Sequence, residues 1–176
     1  MKYKITVKNH FKGLETAIAV ILLLIVSSLY LKFSSLNYSD NLGFNILIIC
    51  IPLFLPVLYL HLEYYYYNRG VELEISSYEK SLSYTNKLGI KQTYSFNDLA
   101  KIELYMAPSW HRGSNFQLMP FEQYHYARIY TKNDKEIIVT CLLVQRVQDA
   151  VKQITGIPLE NKKTFIASIL WYKIPD

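Results

Sequence analysis

Two apolar stretches constrain this chain more than anything else in it: Leu14–Leu31 and Leu42–Leu62, separated by the polar run KFSSLNYSDN. A helix rises about 1.5 Å per residue, so roughly 20 residues cross a hydrocarbon core of about 30 Å. Both stretches come close to that length and are nearly free of charge, which predicts a transmembrane helical hairpin over residues 14–31 and 42–62. Glu15 sits at the edge of the first stretch, within reach of water. Pro52 and Pro56 lie one turn apart in the second, and each removes a backbone donor, so that helix is expected to bend. The first stretch is too long for a signal-peptide core, no A-x-A-like cleavage pattern follows it, and a second span comes behind it.

The charge distribution sets the orientation. The formal net charge is +5, but Lys2, Lys4, Lys8 and Lys12 precede the first span without an acidic neighbour. Residues beyond the second span are close to balanced. Basic residues flanking spans favour the cytoplasmic side, so both termini are expected there, in a multi-pass protein of a cell's inner membrane. The basic pI is therefore a local N-terminal feature, and it does not indicate a nucleic-acid partner. Cys50 and Cys141 are far apart, form no CxxC, and read as small apolar residues rather than a disulfide framework.

The exit from the second span, His61 to Gly70, contains Tyr64, Tyr65, Tyr66 and Tyr67 in succession. Consecutive tyrosines at such a point are expected to lie at head-group depth, as a membrane-interface belt. The organisation this gives is a basic N-terminus over 1–13, the hairpin over 14–62, an aromatic linker over 63–70, a domain over 71–156 and an extension over 157–176.

From Val71 the hydrophobic period changes to two. Val71, Leu73 and Ile75 alternate with polar residues; so do Leu82 and Tyr84, then Ile90 to Phe96, then Ile102, Leu104 and Met106. Asn86-Lys87-Leu88-Gly89 reads as a turn, and Asn97-Asp98-Leu99 as a turn or short helical start. Asn115–Met119 is a weak strand. Tyr124–Thr131 and Lys135–Cys141 form a hairpin about Lys132-Asn133-Asp134. The period then becomes helical over Leu142–Thr155, with Leu143, Val147, Ala150, Val151 and Ile154 on one stripe and Gly156 and Pro158 as stop signals. Six or seven antiparallel strands closed by one C-terminal helix is an α+β arrangement.

This order resembles a bacterial pleckstrin-homology-like (PH-like) domain membrane protein. The segments that carry the resemblance are YEKSLSYTNKLGIKQTYSFNDLAKIELY, YHYARIYTKNDKEIIVTCLLV and LLVQRVQDAVKQI, over about residues 70–156, with the hairpin in front. The resemblance implies a partly open antiparallel barrel capped by the helix, and a scaffolding or binding role without catalysis. Inositide binding through a basic first hairpin does not carry over, because the comparable loop offers only Lys80, Lys87 and Lys91, opposed by Glu79.

The candidate ligand or partner loop is 107–115, with Trp110, His111 and Arg112 combining an aromatic, an imidazole and a guanidinium on a flexible connection. An ordinary loop, with Trp110 packed on the barrel or dipping into the bilayer, is the plainer reading of the same residues. His111 and His125 lack metal-ligand spacing, and Glu122 with His125 matches only a fragment of a carboxylate-bridged helix motif, so no metal and no cofactor are expected. No phosphate loop, nucleophile elbow or HExxH occurs. The expected partners are the lipid bilayer and, beside it, another membrane protein or a second copy. A small membrane enzyme using His111, Arg112 and His125, or an immunity-type protein, is the alternative. The tail, with Phe165 to Tyr172 behind Lys162 and Lys163, is too short to span and fits a strand, an interfacial segment or a dimer contact.

Overall fold

In the computed structural model, which describes residues 1–33, 42–111 and 119–172, a short strand opens the chain before any helix: β1 (Lys2–Lys4). Two long helices follow, α1 (Val7–Phe33) and α2 (Leu42–Asn68), and then the strands β2 (Glu72–Ser76), β3 (Ser81–Thr85) and β4 (Lys91–Ser95). After a 3-10 turn (Phe96–Asp98) come β5 (Leu99–Met106), the single turn α3 (Pro108–His111) and a second 3-10 turn (Pro120–Gln123). The chain ends with β6 (Tyr126–Thr131), β7 (Glu136–Thr140), α4 (Val147–Val151) and β8 (Leu159–Lys163).

The strands make two four-stranded sheets, ordered β1-β2-β3-β4 and β7-β6-β5-β8. The alternation that predicts β2 to β7 also sets their facing. Leu73, Ile75 and Leu82 from the first sheet meet Ile102, Leu104, Ala127, Ile129, Ile137 and Val139 from the second in one buried core. Ser95 caps the first 3-10 turn in a capping box with Asp98, matching the expected helical start at Asn97.

Three expectations change. The N-terminal stretch is not only a basic flank: Lys2–Lys4 pairs antiparallel with β2, Tyr3 opposite Leu73, and Lys2 Nζ sits 2.7 Å from Glu72. The closing helix is five residues rather than fourteen. Leu142, Leu143 and Val144 are all buried, and three consecutive inward residues cannot share one helical stripe, so the chain turns there before α4 begins. The extension contributes a strand, one of its expected alternatives, but β8 runs parallel to β5, with Ile102 opposite Leu159. The sheets are therefore not wholly antiparallel. Of the weak strand Asn115–Met119, residues 115–118 lie outside the described residues.

Helix α2 is continuous through Pro52 and Pro56. It lies beside α1 so that residues early in α1 meet residues late in α2: His10 faces His61, and Leu14 and Ala17 share a surface with Phe54 and Val57. Past that contact both helices present large apolar residues outward. Among the described residues, Val7–Tyr30 is the one helical segment long and apolar enough to cross a membrane, and almost none of it is buried.

Candidate functional site

The end of the helix pair is built into the second sheet. Period two turns Ile102, Leu104, Ala127 and Ile129 toward the inter-sheet core, so Glu103, Tyr105, Tyr126 and Arg128 point to the opposite face. That face would meet water in an open sheet. Here the last turns of α2 and the chain after β8 cover it, and Leu60, Tyr64, Tyr105, Tyr124, Tyr126, Ile138 and Ile169 form a second buried cluster.

Three side chains of α2 make the join. Tyr64 is fully buried and its hydroxyl donates to Ala167 O at 2.6 Å. The Glu63 carboxylate accepts from the amides of Ile169 (3.1 Å) and Leu170 (2.9 Å) and from the Ser168 hydroxyl (3.0 Å). Asn68, on the last turn, reaches the edge of β7. Gly70 then takes φ +70, the left-handed geometry that ends a helix at little cost only with glycine, and β2 begins two residues later. Thus the tyrosine run does not share one environment. Tyr64 faces the core, Tyr67 is half-buried, and Tyr65 and Tyr66 are exposed, with the Lys87 ammonium 4.2 Å above the Tyr66 ring. Lys87 also donates to Tyr66 O at the C-terminal end of α2, and Lys91 pairs with Glu74, so both lysines at the β3–β4 turn are engaged within the chain, while Lys80 lies at the other end of β3.

A chain of rings crosses the junction. His10 Nδ1 lies 2.9 Å from His61 Nε2, His61 Nδ1 lies 3.0 Å from the Tyr124 hydroxyl, and that hydroxyl donates to Gly13 O at 3.0 Å. Donor counting fixes the protons. Tyr124 has one O–H and uses it on Gly13 O, so it accepts from His61 Nδ1–H. Neutral His61 then offers Nε2 as a lone pair, and His10 Nδ1–H donates to it. Gly13 makes the approach close: a Cβ there would sit 3.0 Å from Leu142 Cδ2, and that side chain would have to give by a few tenths of an ångström. Gln123 Nε2 donates to the same carbonyl at 2.6 Å, tying the 3-10 turn to α1.

Beside this chain is a cleft of about 170 Å³, with Lys12, Gln123, His125, Cys141 and Gln145 in its wall. Burial pushes His125 down to about 4, against backbone hydrogen bonds at Gln123 and Gln145 that favour its charged form. Desolvation pushes the Cys141 thiol up to about 12. At neutral pH the imidazole is neutral and the sulfur protonated, so the cleft holds neither a thiolate nor an imidazolium. No three His, Cys, Asp or Glu residues among those described are placed to hold a metal ion.

On the covered face, Arg128 lies 3.2 Å from Glu136 through Nε and donates to Ile169 O (2.8 Å) and Tyr172 O (3.0 Å). Its guanidinium stands over the parallel rings of Tyr105 and Tyr126, whose centroids are 4.7 Å apart. Cross-strand from Arg128, Glu103 accepts from Lys101 (2.8 Å), Tyr105 (2.9 Å) and Tyr130 (3.1 Å). Burial raises the Glu103 pKa, but those three donors together bring it below the ordinary carboxylate value.

Of the sequence-predicted loop, Trp110 and His111 belong to the backbone turn α3 directly after β5, and Arg112 lies outside the described residues. His125 is buried in the cleft wall, immediately before β6 and one position past the Tyr105–Tyr126 pair. Glu63, Asn68, Glu103 and Arg128 were not singled out by the sequence. For α2 the signal was present, since Val57, Leu60, His61, Tyr64 and Asn68 fall on one helical stripe.

No curated protein and no solved structure matches the chain. A family model described as a PH domain matches residues 2–151, a span that starts at β1 and takes in both long helices. By that match the chain belongs to the PH-domain family.

Proposed function

We propose that the protein is a membrane-anchored, non-catalytic binding or scaffolding module, holding its PH domain against the cytoplasmic face of a bacterial inner membrane. The observation that carries this reading is the apolar surface of the helix pair. Ile18, Ile21, Leu22, Ile25, Val26 and Leu29 on α1 are exposed, as are Ile48, Ile51, Leu55, Leu58 and Leu62 on α2. A contiguous apolar surface of that extent on two adjacent helices suits lipid rather than water. The domain grips the opposite end of the same helices through Tyr64, Glu63 and Asn68, so position at the membrane and position of the domain are coupled.

Alkaline carbonate extraction of membranes from cells expressing the full chain tests the anchor, and reporter fusions at each terminus test the orientation. The chain should stay in the pellet and both fusions should report the cytoplasm. Release by carbonate, or a reporter on the far side at either end, would overturn the corresponding half of the reading.

A further inference from the structure

The chain after β8 is tightly bound on one side and apolar on the other. Thr164, Ala167, Ser168 and Ile169 are buried, and the segment is fastened by Thr164 N to Met106 O (3.1 Å), by Tyr64 to Ala167 O and by Glu63 to two amides. Between these fixings it displays Phe165 (62% exposed), Leu170 (48%) and Trp171 (57%). Large side chains held outward by a segment this well anchored call for an occupant.

Direction identifies it. Ala167 meets α2 at Tyr64, Ile169 and Leu170 meet it at Glu63, and the Trp171 ring stacks on Tyr59 with centroids 6.4 Å apart. The contacts run back along α2 from Tyr64 to Tyr59, toward the side of Leu58 and Leu55; the Tyr59 hydroxyl also meets Ser168 at 3.2 Å, and the segment returns to the sheet at Tyr172, whose carbonyl accepts from Arg128 at 3.0 Å. On the other helix the His10–His61 contact places Phe11 near the level of Leu60; it is 65% exposed, with Lys8 and Lys12 on either side in sequence. Phe165 packs edge-on to Phe121 (5.2 Å), on the 3-10 turn tied to Gly13. The exposed rings thus gather around the helix pair where it leaves the domain, continuous with the apolar surface above.

We propose that Thr164–Tyr172 is a second membrane contact, a foot whose Phe165, Leu170 and Trp171 side chains insert into the interfacial layer of the phospholipid bilayer that the helices cross. This rests on α1 and α2 being membrane spans. Tryptophan and phenylalanine on an apolar edge beside a span suit that layer, where an apolar ring and a hydrated N–H are both accommodated.

The test uses the full chain reconstituted in phosphatidylcholine–phosphatidylglycerol vesicles with or without brominated acyl chains. The sequence has two tryptophans, so Trp110→Phe leaves Trp171 as the reporter. Its emission should fall about twofold in brominated vesicles, as an interfacial indole's does. If Trp110→Phe does not fold, the quenching lost on going from the native chain to Trp171→Phe measures the same contact. Emission insensitive to bromine, whether open to aqueous iodide or shielded from it by a second copy, overturns the foot. Carbonate extraction of the same vesicles separates the two readings. A chain that stays membrane-bound with Trp171 unquenched loses the foot and keeps the spans, whereas a released chain loses both.

Discussion

Asn68 and Thr140 are joined by a hydrogen bond of 2.9 Å, the Thr140 amide donating to Asn68 Oδ1, while Asn68 Nδ2 donates to Ile138 O at 2.9 Å. One amide side chain on the last turn of α2 therefore supplies two hydrogen bonds to β7's outer edge, where another strand would have paired. Leucine at this position would fill the space and leave a buried N–H and C=O without partners. Asn68→Leu should lower stability by about 2–4 kcal/mol, and Asn68→Asp should not rescue it, because its second oxygen would face the Ile138 carbonyl and bury a charge. Thermal unfolding in detergent measures it, as a drop of several degrees in Tm.

Tyr124→Phe removes one hydroxyl and breaks two contacts, leaving His61 Nδ1–H without its acceptor and Gly13 O with one donor fewer. A cost of about 1–2 kcal/mol is expected. His61→Phe in the same background should cost less than it does alone, because the two residues act through one chain. A double-mutant cycle on Tm reads that coupling.

Arg128→Met should destabilise by about 1–3 kcal/mol, since the Ile169 and Tyr172 carbonyls lose their donor, while Glu136 is exposed and can be resolvated. The tail should loosen first. Limited proteolysis after Lys163, absent from the native chain, is the accompanying signature.

Acid should weaken the domain through His125. Its folded pKa of about 4 lies below the 6.5 of an ordinary histidine, so the unfolded chain takes up the proton first. The stability due to keeping this ring neutral is complete above pH 6.5, and falls away as pH drops toward 4, by up to about 3 kcal/mol. Glu103, also depressed, adds loss of the same sign at lower pH. Unfolding free energy measured between pH 7 and 4 should decline, and His125→Gln should flatten the part of the curve above pH 4. A native chain whose stability is level across that window would contradict the burial argument.

The strands of both sheets that alternate cleanly, β2 to β7, were legible because one face of each meets the inter-sheet core. What covers the other face was not. The alternation does not say what lies over Tyr126, Arg128 and Tyr130, and only the tail's path shows that Arg128 is enclosed. β1 escaped notice because Lys-Tyr-Lys has a single apolar residue and its partner Leu73 is seventy positions away. The resemblance drawn over about 70–156 therefore began too late, for the PH-domain match starts at residue 2. The tyrosine run suggested a uniform belt, although a helix turns each successive residue by about 100° and cannot set four neighbours on one side. In the candidate loop, Arg112 falls outside the described residues, so the junction carries the structural argument.

The position of β1 has a consequence for assembly. The ribosome delivers Lys2–Lys4 before both long helices, and Glu72–Glu74, against which β1 pairs, only after them. The first sheet can be completed only by a chain that has already brought the two ends of its helical excursion together. Closure of that seam therefore reports that the hairpin has formed, and a chain with a misplaced helix would expose the edge of β2 as an unpaired strand. Quality control could read that edge.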